Sequence, residues 1–357
     1  MRRFSKGFRI GLYVAGAIVL VAAAFIFQLF HAAGQFKTIE PHFSGSCTPV
    51  AGILGAEDIT IHPRTRVAYI SAADRRSMLA GGTGRGGIYA YDLKLDSPQL
   101  QNLTPSADED FHPHGISLYV GDDGRDVLYV INHAGGRHSI EIYDLVGKGL
   151  SHRGTLSDPL MVSPNDLVAV GRDRLYVTND HANAAGFARK IEDYLRRSIS
   201  TVVYYDGERF VKAASGIRYP NGISASGDGE TLFVASTTGG SVLVFRIDPD
   251  SGGLEERGRI EIGSGVDNIE VNERGDLWIG AHPQLLTFMQ HTEDASRFAP
   301  SQVIRVGDPD ADAPLVEEVF LSLGEDLSGS SVGAVHGDRL LVGSVMDEGI
   351  LDCRMRP

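Results

Sequence analysis

With 357 residues, 42% of them hydrophobic and 22% charged, the chain has an ordinary globular composition and ample length for a sizeable core, which excludes global disorder. Forty-six acidic residues against 33 basic ones give a net charge of −13, which argues against a nucleic-acid partner and is compatible with binding a divalent cation. Length alone would suggest two domains, so internal repeats have to decide the count.

Arg2, Arg3, Lys6 and Arg9 precede an uncharged stretch from Ile10 to Phe36, whose apolar heart from Gly11 to Phe30 is long enough to span a bilayer as a helix. A cleaved signal peptide usually has a shorter apolar run and a small-x-small exit. His31-Ala32-Ala33 places a poor residue first, which favours an uncleaved anchor. Residues 1–36 are therefore assigned to a basic cytoplasmic tail and a signal anchor in the lipid bilayer, and residues 37–357 to a domain on the periplasmic or extracellular side. In that oxidising compartment the two cysteines, Cys47 and Cys353, are expected to form a bridge closing almost the whole chain; the alternative is two buried thiols.

Beyond the anchor, short β-rich runs recur in one order, separated by Gly, Asp and Pro turns. The strand pair Val67 to Ile70 and Gly87 to Asp92 returns as Val127 to Val130 with Ser139 to Asp144, and as Arg174 to Val177 with Thr201 to Asp206. Three later copies are Thr231 to Val234 with Ser241 to Phe245, Asp276 to Ile279 with Gln302 to Arg305, and Arg339 to Val342 with Gly349 to Leu351. Each pair follows a further strand that opens on small or polar residues: Glu57-Asp58, His114-Gly115, Asn165-Asp166, Asn221-Gly222, Asp267-Asn268 and Ser330-Ser331. This repeat predicts an all-β, six-bladed β-propeller in one domain, with the six openings converging on the central channel. The bridge would clasp the ring. Two insertions interrupt the pattern. The Gly- and Arg-rich segment Asp74 to Gly87 is expected to be a mobile rim. Ala182 to Ser198, with Phe187, Ile191, Tyr194 and Leu195 at helical spacing, is expected to pack as a helix across one face.

The converging set, Glu57, Asp58, Asn165, Asp166, Asn221, Asp267 and Asn268, offers carboxylate and amide oxygens and no thiolate. Such hard ligands select calcium over zinc, which prefers His and Cys, and over magnesium, which keeps more of its water. Any one of these dipeptides alone reads as a turn or cap; their recurrence at one position in the repeat carries the inference. His114, in His112-Pro113-His114-Gly115, and His133, at the end of the next strand, stand beside the ring and could supply a general base and a proton relay. A polarised carbonyl and a His-activated water amount to ester or lactone hydrolysis. The chain has no Gly-x-Ser-x-Gly elbow, and no cysteine is free if the bridge forms.

These residues resemble the serum paraoxonase/arylesterase family of calcium-dependent lactonases. The likeness runs through Gly55 to Asp58, Pro113 to Ser117, Val130 to His133, Pro164 to Gly171, Thr178 to His181, Pro220 to Ile223, Val266 to Ile269, Gly275 to Gly280 with His282-Pro283, and Ser328 to Ser331. It implies two calcium ions: a catalytic one on Glu57, Asn165, Asn221, Asp267 and Asn268, and a structural one on Asp58, Asp166 and the Ile116 carbonyl. It also implies a His114–His133 dyad with Asp180 near His133, a Cys47–Cys353 disulfide, a retained apolar N-terminus, and activity on lactones and aryl esters with promiscuity toward phosphotriesters. Two departures stand out. Ala281 replaces a cysteine common in the family, so no free-thiol chemistry carries over, and both insertions differ, which leaves substrate range and any lipoprotein-like partner open. Asp267 is the alternative base or nucleophile. The competing readings are a gluconolactonase-like or strictosidine-synthase-like propeller and a non-catalytic, calcium-stabilised binding propeller; no pattern sets the oligomeric state.

Overall fold

The computed structural model describes residues 6–108 and 110–356, so Arg2 and Arg3 of the basic tail lie outside it. Burial follows strand position within the sheets. Middle strands such as Val127–Asn132 and Leu277–His282 are buried at every residue, because both faces of a blade are covered by its neighbours. Outer strands such as Leu254–Glu261 face water along most of their length and carry charge. The result is six antiparallel sheets, five of four strands and one of five, arranged as a six-bladed propeller.

The inner strands are Ala56–Ile61, Pro113–Tyr119, Pro164–Gly171, Pro220–Ala225, Gly265–Val271 and Ser330–His336. Each touches the next in a closed circle around the axis. Aliphatic clusters fill the space between blades; one joins Ile59 and Ile70 of the first blade to Val332 and Leu341 of the last. Closure comes from the N-terminal side, where Gly45–Leu54 supplies the outer strand of the last blade and pairs antiparallel with Glu348–Met355. That register sets Cys47 opposite Cys353, and the two form a disulfide across 306 residues of sequence.

The first helix, α1 (Lys6–Ala32), contains a 23-residue apolar span, Ile10–Ala32, long enough to cross a membrane and with none of it buried in the protein. Its end is joined to the propeller: the Leu285 N–H donates to the Ala33 carbonyl at 2.9 Å, and Lys37 Nζ donates to the Gly263 carbonyl at 2.7 Å and to Ser264 Oγ at 2.9 Å.

Both insertions differ from expectation. The rim segment contains helix α2 (Arg75–Leu79), capped by Asp74 and pinned from two sides. Arg75 donates to the Gly55 and Pro113 carbonyls, while Arg76 donates to the Met346 carbonyl and meets His291 and Asp347. Helix α3 (Gly186–Tyr194) is shorter than predicted, and of the four apolar residues at helical spacing only Ile191 is half-buried: Phe187 is 77% exposed, and Tyr194 and Leu195 are each 57% exposed. A polar clamp mounts it instead, with buried Glu192 accepting from the Ala182 N–H, the Asn183 amide and Ser200 Oγ. Helix α4 (Leu285–Glu293), which the sequence pattern did not suggest, follows the His282-Pro283 corner.

Because the disulfide ties the two ends of the ring, its loss frees the longest loop in the unfolded chain. Replacing both cysteines with alanine should lower stability by about 2–4 kcal/mol, read as a lower urea midpoint with little change in slope.

Candidate functional site at the propeller hub

All six inner strands carry a register irregularity at their opening dipeptide: between Ala56 and Asp58, Pro113 and Ile116, Pro164 and Leu167, Pro220 and Ile223, Val266 and Ile269, and Ser330 and Val332. A bulge inserts an unpaired residue and re-aims side chains. Here it releases Glu57, His114, Asn165, Asn221, Asp267 and Ser331 from the ladder at the hub. The strands come so close there that a Cβ on Gly115 would lie 2.4 Å from Asp166 Oδ1, and one on Gly222 would lie 2.4 Å from the Asp267 carbonyl oxygen.

Side chains tie the openings to one another. Asn268 Nδ2 donates to Glu57 Oε1 at 2.9 Å and to the Glu57 carbonyl at 3.0 Å, and Ser331 Oγ donates to that carbonyl at 2.6 Å. Thr178 Oγ1 donates to the Asn221 carbonyl at 2.6 Å. Asp58 accepts from the Ile59 and Ile116 N–H groups at 2.8 and 2.7 Å, so Ile116 meets Asp58 through its amide. Asp166 likewise accepts from Leu167 and Ile223 at 2.7 and 2.9 Å.

One set of oxygens is left over. Glu57 Oε2, Asn165 Oδ1, Asn221 Oδ1 and Asn268 Oδ1 are buried with no hydrogen-bond partner. Buried polar atoms are nearly always paired, so acceptors lacking a donor on one axis form a cradle suited to a cation. Among the described residues, no group of three or more His, Cys, Asp and Glu side chains is placed to hold a metal ion. The carboxylates agree in direction. Burial pushes Glu57, Asp58, Asp166 and Asp267 above their ordinary values, and repulsion adds to it: Glu57 on Asp58, and Asp58 on Asp166. Glu270, not singled out from the sequence, is raised by burial and by Asp58. It lines a cavity of about 500 Å³ that reaches Asp166 from the opposite face.

At the other mouth, His114 Nε2 lies 3.5 Å from Glu57 Oε1. Burial and then Arg75 hold His114 down at about 3, so the ring is neutral and the contact is not an ion pair. His133 is edge-to-face with His114, ring centroids 5.0 Å apart, and burial, followed by His114, pulls it well below its usual value. Asp180 does not hydrogen-bond His133: it takes His181 Nδ1 at 2.8 Å and the Ser163 hydroxyl. His133 Nδ1 meets His138 Nδ1 instead, at 2.8 Å.

Besides Glu270, three residues of this neighbourhood were not recognised from the sequence. Arg75 lies close to Glu57, Asp267 and Asp58, its guanidinium offsetting their charge. His282 Nε2 bonds Asp267 Oδ2 at 2.8 Å, and Phe288 of α4 stacks on its ring. His138 is the third. The lone hint was the His282-Pro283 pair; an Arg in a Gly-rich segment and a His after a turn carry no periodic mark.

An all-β ring whose chemistry gathers on its axis, with buried unpartnered oxygens and histidines at one mouth, defines a hub-site propeller. The arylesterase family profile matches residues 38–355, and the chain belongs to that family. Serum paraoxonase/arylesterase 2 of Rattus norvegicus is 32% identical over 308 residues, covering 84% of this chain and 86% of its own. The Gallus gallus protein of the same name is 31% identical over 348 residues, covering 94% and 97%. Two solved propellers share the fold: a luciferin-regenerating enzyme, 11% identical with TM-score 0.54 over 87% of this chain and 95% of that one, and a gluconolactonase from Xanthomonas campestris, 16% identical with TM-score 0.54 over 90% and 99%.

His181, beside the mouth, lies between Asp180 Oδ1 at 2.8 Å and Asp193 Oδ1 at 2.6 Å. Burial lowers its pKa, but these hydrogen bonds outweigh it and raise His181 from 6.5 to about 9. A raised folded-state value gives stability that is complete below 6.5 and is lost as pH rises through about 9. Urea midpoints should therefore fall more steeply across that window in wild type than in His181→Gln; parallel curves would refute the coupling.

Proposed function

We propose that the chain is a calcium-dependent hydrolase that opens lactones and cleaves aryl esters at the hub. The observation that carries this reading is the set of buried oxygens without donors on Glu57, Asn165, Asn221 and Asn268, beside two neutral histidines. Membership of the arylesterase family supports the reaction class.

Glu57, Asn165, Asn221, Asp267 and Asn268 would hold the catalytic calcium, and Asp58, Asp166 and the Ile116 carbonyl a second, structural one. Bound calcium would supply a Lewis acid that polarises the substrate carbonyl and stabilises its developing negative charge. Glu57 and Asp267 provide the anionic part of the cradle, and the Asn amides provide neutral oxygens. Asn268 also holds Glu57 in place through its Nδ2. His114, neutral and at the mouth, takes a proton from the attacking water; the C–O bond to the leaving group breaks, and the departing alkoxide takes up a proton to leave as an alcohol. His133 receives the proton from His114. His282 orients Asp267, which limits Asp267 as a competing base because one of its oxygens is already engaged.

In this reading residues 37–357 form the catalytic domain, outside the membrane that α1 spans, and the alternative is a propeller in which calcium serves stability alone. His114→Gln should lower kcat by about 10²–10⁴-fold with calcium content unchanged. Undiminished activity would sink the dyad, and a wild-type protein inert to a lactone and aryl-ester panel would favour the binding propeller. Chelation should abolish hydrolysis and lower the thermal midpoint, with calcium at a hundred times its Kd restoring about 2.7 kcal/mol. Asn221→Leu should weaken that calcium-dependent shift, and chelator-insensitive hydrolysis would reject the metal mechanism.

A further inference from the structure

Hydrolysis of an ester or lactone at neutral pH turns a neutral substrate and water into a carboxylate and an alcohol. Water gives up two protons: the departing alkoxide keeps one, and the other must reach solvent in every turnover. If it returned through the mouth it would meet the substrate and product.

The wall behind the mouth offers another way out. His133 Nδ1 and His138 Nδ1 are 2.8 Å apart, and their rings stand edge-to-face with centroids 4.9 Å apart. Two imidazole nitrogens at that distance share one proton, so one ring donates and the other accepts. This engages Nδ1 of His133 on the outer side and leaves Nε2 as its remaining proton-accepting atom. His138 in turn lines a side cavity of about 840 Å³ between the segment after the first blade and the outer strands of the second; His133 does not reach it. Asp108, Asp110 and Glu141 line the same cavity. Asp180 and Arg189 face His138 with opposite charges, and the Ser157 hydroxyl fixes its backbone by donating to the His138 carbonyl at 3.0 Å.

We propose that His138 is the proton outlet of the hub, carrying the proton from His133 into the side cavity and away from the substrate mouth. This rests on the reading of His114 and His133 as the proton acceptors of the reaction. A proton arrives at His133 Nε2; the Nδ1–H bond of His133 breaks as the Nδ1–H bond of His138 forms; His138 releases its Nε2 proton to water in the cavity. One proton enters and one leaves, and turning both rings so that their protonated nitrogens face outward again readies the relay for the next turnover. No oxidant or further reactant is needed. His138 acts through His133 and does not touch substrate, so it is a positioning and proton-transfer residue.

Removing the His138 ring should leave a space continuous with the side cavity, large enough for free imidazole. In weakly buffered, calcium-loaded enzyme, His138→Ala should lower kcat by about tenfold or more with KM unchanged and enlarge the solvent deuterium isotope effect on kcat. Added imidazole should restore kcat in a saturable manner and have little effect on wild type. A kcat equal to wild type, or a reduced one that neither imidazole nor buffer concentration raises, would overturn the outlet. His114→Gln, measured in parallel, separates the two levels. If it is inactive while His138→Ala is silent, the outlet fails and the dyad stands. If both are silent, the dyad reading itself fails.

Discussion

Too many oxygens face one another on the propeller axis for the protein alone to satisfy. Glu57, Asn165, Asn221 and Asn268 each present a buried oxygen with no donor, next to the carboxylates of Asp58, Asp166 and Asp267. An unpaired buried acceptor costs about 1–3 kcal/mol, and a buried charge costs more, so such a cluster survives only if the surrounding fold holds it in place. Much of the neighbouring structure does so. Gly115 and Gly222 let adjacent strands close to distances no side chain would permit. Arg75 reaches in from α2 as a compensating positive charge. Asn268 and Ser331 link the fifth and sixth blades to the first through the Glu57 carbonyl.

The hub therefore depends on ring closure. Its oxygen-bearing residues come from blades far apart in sequence, and they meet because six inner strands touch in a circle. The pairing of Gly45–Leu54 with Glu348–Met355, locked by Cys47–Cys353, keeps the first and last blades in contact. A break at this periphery would be felt on the axis, since Glu57 of the first blade and Ser331 of the last sit on either side of the seam.

Around the mouth, polar contacts hold the non-propeller elements in place. Glu192 mounts α3, leaving Phe187, Tyr194 and Leu195 in solvent, and Arg76 with His291 and Asp347 ties α2 to α4 and the last blade. Phe288 of α4 stacks on His282, which holds Asp267, so a helix with no mark in the repeat reaches the hub through one ring and one hydrogen bond.

By itself the sequence determined the ring. Strand alternation repeated six times, an apolar run too long for a core helix, and small or polar residues opening each inner strand are local patterns, and local patterns record burial and periodicity. Tertiary structure decided what meets what. The bulges at all six openings depend on pairing register, which no single strand encodes. Arg75 lies in a segment that reads as flexible, and its meaning comes from the Gly55 and Pro113 carbonyls beside it. Phe187, Ile191, Tyr194 and Leu195 have helical spacing, which gives the helix but not the side it turns to the protein; Glu192 settled that by finding Ser200 and the Ala182 amide. His138 follows His133 by five residues across a turn, and only the folded turn brings Nδ1 to Nδ1. A hydrogen bond is a relation between two positions in space, and a periodic sequence specifies only one of them at a time.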